Sequence, residues 1–178
     1  ALLEVTKNNE ATYQQMLQAA LAEQRAIQQI AAGGGNVVSV GRIKEGDVIG
    51  YMISGRSACS SGTHLHFEVH KNGSLQDPTG FLNSKEVSYP SNYPDPQLAF
   101  NGSWNWPIND PIEIEQGFGM TFYARVLGYY AGGPHTGIDL YSKSSLEVKA
   151  VKDGELFQGS IACGGGNLLF SRVDQSDG

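Results

Sequence analysis

After Gly33-Gly34-Gly35 the chain becomes a succession of short β-branched runs punctuated by glycine and proline, a texture that suits strands and tight turns but no helix of useful length. Runs at 36–40, 47–53 and 64–70 read as strands, separated by Gly41, Gly46, Gly50 and Gly55. Lys71-Asn72-Gly73 is a hairpin turn signal. Further strands are expected at 112–118, 138–141, 146–151, 155–158 and 167–173, with Asp153-Gly154 as a turn and residues 174–178 as the start of another. Between the two groups, residues 83–105 carry Pro90, Pro94 and Pro96 among Ser, Asn and Tyr, which reads as a linker or a long surface loop.

Residues 1–32 have the opposite character. They contain no Gly or Pro and are rich in Ala, Gln, Leu and Glu, so they favour a helix. Tyr13, Met16, Ala20, Ile27 and Ile30 follow a heptad-like spacing, Leu17 and Leu21 widen the stripe, and Glu23 interrupts it. Two arrangements fit: the end of a longer coiled coil with a partner or second copy, or a helix packed on its own domain. The whole is therefore expected to be a helix at 1–32 followed by a mainly β domain at 33–178. A length of 178 residues suits one domain with such an appendage. A net charge of -6 disfavours a nucleic-acid binder, and no apolar run is long enough for a membrane-spanning helix. The start at Ala1 is that of a mature or trimmed fragment.

The candidate chemistry is carried by histidine. In His64-Leu65-His66-Phe67-Glu68-Val69 polar and apolar residues alternate, so on a strand Leu65, Phe67 and Val69 enter a core while His64, His66 and Glu68 share the other face. A second cluster is His135-Thr136-Gly137-Ile138-Asp139, where His and Asp four apart around a glycine turn toward one point. Zinc favours imidazole nitrogen and carboxylate oxygen, and a catalytic zinc keeps one position for water. His135, Asp139 and one of His64 and His66 would make a three-ligand set, leaving the other histidine for proton work. The two cysteines, Cys59 and Cys163, form no CxxC pair, so either a disulfide or two free thiols is expected rather than a cysteine zinc site.

The flanks of both motifs resemble the lysostaphin-like zinc metallopeptidases, enzymes that cut peptide cross-links of bacterial peptidoglycan. Ser61-Gly62-Thr63-His64-Leu65-His66-Phe67-Glu68-Val69 is similar to the HxH signature of that family, and His135-Thr136-Gly137-Ile138-Asp139-Leu140 to its HxxxD signature. Residues 40–55 resemble the strand pair before HxH, and residues 148–170 the strands after HxxxD. The resemblance implies an antiparallel β metallopeptidase domain with Zn2+ held by His66, His135 and Asp139. It implies His64 as the catalytic histidine. Glu68, on the same strand face, is expected to orient a neighbouring imidazole, and His70, which matches no family ligand and lies about 13 Å further along, is expected at the rim or surface. The motif order is reversed relative to the family. An HxH half at 36–82, a linker at 83–105 and an HxxxD half at 106–178 read as a circular permutation, or as half-domains exchanged between chains. The family's further histidine, expected after the 167–173 strand, has no counterpart, which implies either a domain truncated at its C-terminal end or the loss of that histidine. In the family fold the loops holding Cys59 and Cys163 approach each other, so the resemblance implies a Cys59–Cys163 disulfide and an extracytoplasmic bacterial setting. The competing expectations are a non-catalytic coiled-coil activator of wall hydrolases, or a structural envelope component; such relatives typically lose metal ligands.

Overall fold

The computed structural model describes residues 2–57, 59–60 and 62–175. The far end of the turn expected at 174–178, and Ser61 in the HxH flank, lie outside them. The N-terminal helix is present as α1 (Leu2–Ala31), closed by the glycines at 33–35. It packs on its own chain, against β9 (Gly154–Cys163) and the turn at Tyr129–Gly132, with Ala20, Gln24 and Ala26 buried.

The rest is mainly β, and among the described residues every strand pairing is antiparallel. β1 (Asn36–Ile43) and β10 (Gly166–Asp174) flank β9 in one sheet. β2 (Val48–Tyr51) pairs with β8 (Glu147–Lys149). The sheet that matters for the site has the order β3-β7-β6, from Leu65–Phe67, Ile138–Ser142 and Ile112–Gln116. The strand expected over 64–70 is broken at Glu68: β4 (Val69–Lys71) leaves to form a separate hairpin with β5 (Ser74–Gln76). Its turn, Asn72-Gly73, has both residues at positive φ, 53° and 74°, as a two-residue hairpin of matching twist demands.

β7 is central and takes a partner from each side, so Ile138 and Leu140 are completely buried. They share a core with Ile112, Ile114, Leu82, Trp106 and Phe100. Residues 83–105 hold no named strand, yet they are not a detached linker. Val87, Tyr89, Tyr93, Leu98 and Trp104 pack against this core, and Ser88 bridges to Glu113. The two halves of the domain thus meet within one chain at three strand pairs, β1–β9, β2–β8 and β3–β7. A disulfide joins them as well: Cys59 and Cys163 are bonded, 104 residues apart in sequence, and both are buried.

Candidate metal centre

Strand register brings the two motifs together. His66 on β3 is the ladder partner of Asp139 on β7. Partners in an antiparallel ladder present their side chains to the same face, with Cβ atoms about 4.5–5.5 Å apart. His66 Nδ1 stands 2.9 Å from Asp139 Oδ1. His135 lies just before β7, pinned by a two-way backbone bridge to Gly119. Its Nε2 is 3.1 Å from His66 Nδ1 and 3.3 Å from Asp139 Oδ1. Three donor atoms of a tetrahedral site with bonds of about 2.0–2.1 Å stand about 3.3 Å apart. His66, His135 and Asp139 therefore form a group that could hold a metal ion.

The outer nitrogens decide what the inner ones offer. His66 Nε2 faces Glu68 Oε1 at 3.2 Å, and His135 Nδ1 faces the Gly117 carbonyl at 2.7 Å. Both outer partners only accept, so each outer nitrogen is the donor. With both imidazoles neutral, each turns a lone pair toward the other and toward the carboxylate, a donor set that could hold a cation; in the metal-free chain the proton on His66 fills that place. A carboxylate or carbonyl behind each imidazole is how metal-binding histidines are held.

Close approach explains the glycine in the HxxxD motif. A Cβ at Gly137 would lie 2.5 Å from the Phe67 carbonyl oxygen and 2.8 Å from His66 Nε2. Only a residue without a side chain lets the His66 ring lie over this strand. On the other side Tyr130 stacks on His135, ring centroids 5.3 Å apart, while its hydroxyl donates to Gln116 Oε1. Tyr130 holds this position from a left-handed backbone, φ 61°, a conformation that costs a non-glycine residue of order 1 kcal/mol or more.

In the metal-free chain the site is a dense charge cluster. Burial opposes the charged form of His66, but Asp139 and Glu68 at its two nitrogens outweigh it and push the imidazole up to about 10. Burial would raise Glu68, but the contact with His66, aided by Thr136 and His70, brings it down to about 2. Asp139 is held well below its ordinary value; burial works against this, and the charges of His135 and His64 with the two imidazole contacts prevail.

His64 is outside the donor set and just before β3. Its Nε2 is 3.6 Å from Glu23 Oε1 of α1. Burial disfavours its charge, yet Asp139 and Glu23 push it up to about 9. His70 is exposed and binds Glu68 Oε2 at 2.7 Å, so one carboxylate spans His66 and His70. This follows from the break at Glu68; on an unbroken strand the two rings would be about 13 Å apart. Sequence reasoning did not single out Tyr130, Gln116 or Thr136, nor Glu23, Gln24 and Ile27, which wall the site from α1. The one available signal was Glu23 itself, a carboxylate breaking an apolar stripe.

No protein-family profile, curated protein or solved structure matches the chain.

Proposed function

We propose that the chain is a zinc-dependent endopeptidase domain acting on peptide cross-links of bacterial peptidoglycan outside the cytoplasm, with lysostaphin-type architecture in permuted order. The observation that carries the metal part is the convergence of His66 Nδ1, His135 Nε2 and Asp139 Oδ1, 2.9 to 3.3 Å apart, with an acceptor behind each ring. The substrate class rests on the likeness of the two flanked motifs. The Cys59–Cys163 bond is in keeping with an oxidising compartment.

His66 Nδ1, His135 Nε2 and Asp139 Oδ1 would hold the ion. Zinc bound there supplies Lewis acidity, polarising a carbonyl and making water a nucleophile near neutral pH. The protein's own groups have separable tasks. Glu68 and the Gly117 carbonyl set the two tautomers. Tyr130 fixes the plane of His135. His64 stands beside the set with Nε2 free of any ligand role, where it takes up or returns a proton, or donates to a developing oxyanion. No histidine follows His135 in the sequence, so within these residues His64 carries this work.

The competing reading is a non-catalytic regulator or structural envelope part. The lie of α1 against the cluster favours it; the complete donor set counts against it. Zinc content and digestion of purified peptidoglycan separate the two. The enzyme reading expects about one zinc per chain, lost in His66→Ala and His135→Ala, and newly freed peptide termini by mass spectrometry. Bound zinc with no cleaved peptide would leave the regulator in its place.

A further inference from the structure

We infer that α1 is a reversible cover over the metal centre, and that a peptide reaches the site only when the helix lifts; this rests on the metal reading above. Glu23, Gln24 and Ile27 of α1 form one wall of a cavity whose other walls are His66, Tyr130, Pro134, His135, Thr136 and Asp139. The cavity volume is about 10 Å³, room for about one water molecule. An extended peptide strand needs about 4.8 Å beside its neighbour, and that width is absent while α1 is seated. Glu23 is also a carboxylate, a zinc-ligand chemistry, and it occupies the partner position of His64.

The seating of α1 is that of a removable part. Among the described residues, none of α1 belongs to the core around Leu82, Ile114 and Leu140. Its contacts are with a separate, smaller cluster, where Ala22, Ala26 and Ile30 lie on the Cys59–Cys163 disulfide, Ile161 and Leu168. Alanines offer little apolar area to hold a helix down. Its other attachments among the described residues include the Tyr13 Oη bond to the Leu127 carbonyl at 2.6 Å, the Glu23–His64 pair at 3.6 Å, and Gln24, buried close to Gly133. Three glycines join α1 to β1, two of them at positive φ (Gly33 83°, Gly35 93°), a linker of the residue type whose backbone adopts other conformations at least cost. Lifting α1 exposes the centre while the β core and the disulfide stay intact.

The test follows metal and probe access rather than catalysis. Protein loaded with Zn2+ is stripped by excess EDTA, and protein loaded with Co2+ is titrated with acetohydroxamate by visible spectroscopy. Ala26→Glu, which places a charge in the buried seat, and Glu23→Gln, which keeps the packing, are compared with wild type. In Ala26→Glu, stripping about tenfold faster and probe binding about tenfold tighter are expected, the change for a cover open about a tenth of the time. Glu23→Gln, with α1 still seated, is expected to leave stripping and probe binding near those of wild type. Hydrogen exchange on wild type gives a variant-free measure: amides of residues 20–31 are expected to open well before those of β7. Metal uptake with unchanged stripping and probe binding in Ala26→Glu, or α1 amides as protected as β7, overturns the cover alone. A chain that takes up neither Zn2+ nor Co2+ overturns the metal reading and the cover together.

Discussion

His66 and Asp139 are ladder partners across β3 and β7, and this register alone places Nδ1 of one 2.9 Å from Oδ1 of the other. A slip of β3 by one residue would send His66 to the opposite face from Asp139. The donor set is thus a property of strand pairing. His66→Ala, His135→Ala and Asp139→Asn are each expected to abolish stoichiometric zinc binding, while far-ultraviolet circular dichroism stays that of the parent, because the core lies on the other side of the sheet. Retention of zinc by any of the three, measured by atomic absorption after dialysis, contradicts the assignment.

Gly137→Ala tests the close approach over β7. Its Cβ would sit 2.5 Å from the Phe67 carbonyl and 2.8 Å from His66 Nε2, so the strands must part or the imidazole must turn. Zinc affinity is expected to fall about 10–100-fold, with a loss of about 1–3 kcal/mol in stability from overpacking. Competition with a chromogenic chelator and urea titration read the two effects. A variant with wild-type affinity would show that the His66 ring does not need this space.

The disulfide bridges the domain halves from a buried seat. Replacing both cysteines by alanine is expected to cost about 2–5 kcal/mol. The urea midpoint should drop accordingly, and reduction of the wild type under unfolding conditions should reproduce the shift. A change below about 0.5 kcal/mol, within the scatter of ordinary surface substitutions, would mean that the strand pairs alone hold the halves together.

The charge cluster makes the stability of the metal-free chain depend on pH. Glu68 is lowered from 4.5 to about 2, and His64 and His66 are raised from 6.5 to about 9 and about 10. A carboxyl lowered on folding gives stability that is complete above its unfolded value and is lost as pH falls through the folded one. A raised imidazole gives stability that is complete below its unfolded value and is lost as pH rises through the folded one. Chelated protein is therefore expected to be most stable between pH 4.5 and 6.5, declining toward pH 2 on one side and toward 9 to 10 on the other. Glu68→Gln should make the acid limb shallower, with Asp139 supplying what remains. Urea midpoints that climb between pH 6.5 and 9 contradict this.

Much of the site was readable in the sequence because it depends on short-range pattern. Alternation at residues 64–69 put His66 and Glu68 on the face away from Leu65 and Phe67, and Asn72-Gly73 announced its hairpin. The break at Glu68 was not readable, since alternation continues through it, and only the departure of β4 to pair with β5 creates it. Residues 83–105 misled for another reason. Prolines and polar residues signal a loop, but aromatic rings spaced without period fill core surface as well as a strand does, as Tyr89, Tyr93 and Phe100 show. Glu23 looked like a flaw in an apolar stripe. Its meaning depends on the surface that the helix meets, which no local pattern encodes. Tyr130 is hidden in the same way: nothing in its neighbours marks a left-handed tyrosine.

The metal donors and the disulfide close loops of similar span in the same chain. His66 and Asp139 are 73 residues apart, Cys59 and Cys163 are 104 apart, and the first interval lies wholly inside the second. An unfolded chain already tied at the outer pair loses less conformational freedom when the inner pair is gathered by an ion. Oxidation and metal capture would therefore be linked through the unfolded ensemble as well as through the native site. An ion held there should keep the oxidised chain folded at a lower free concentration than it needs for the reduced one, so that compartment chemistry would set where the centre fills.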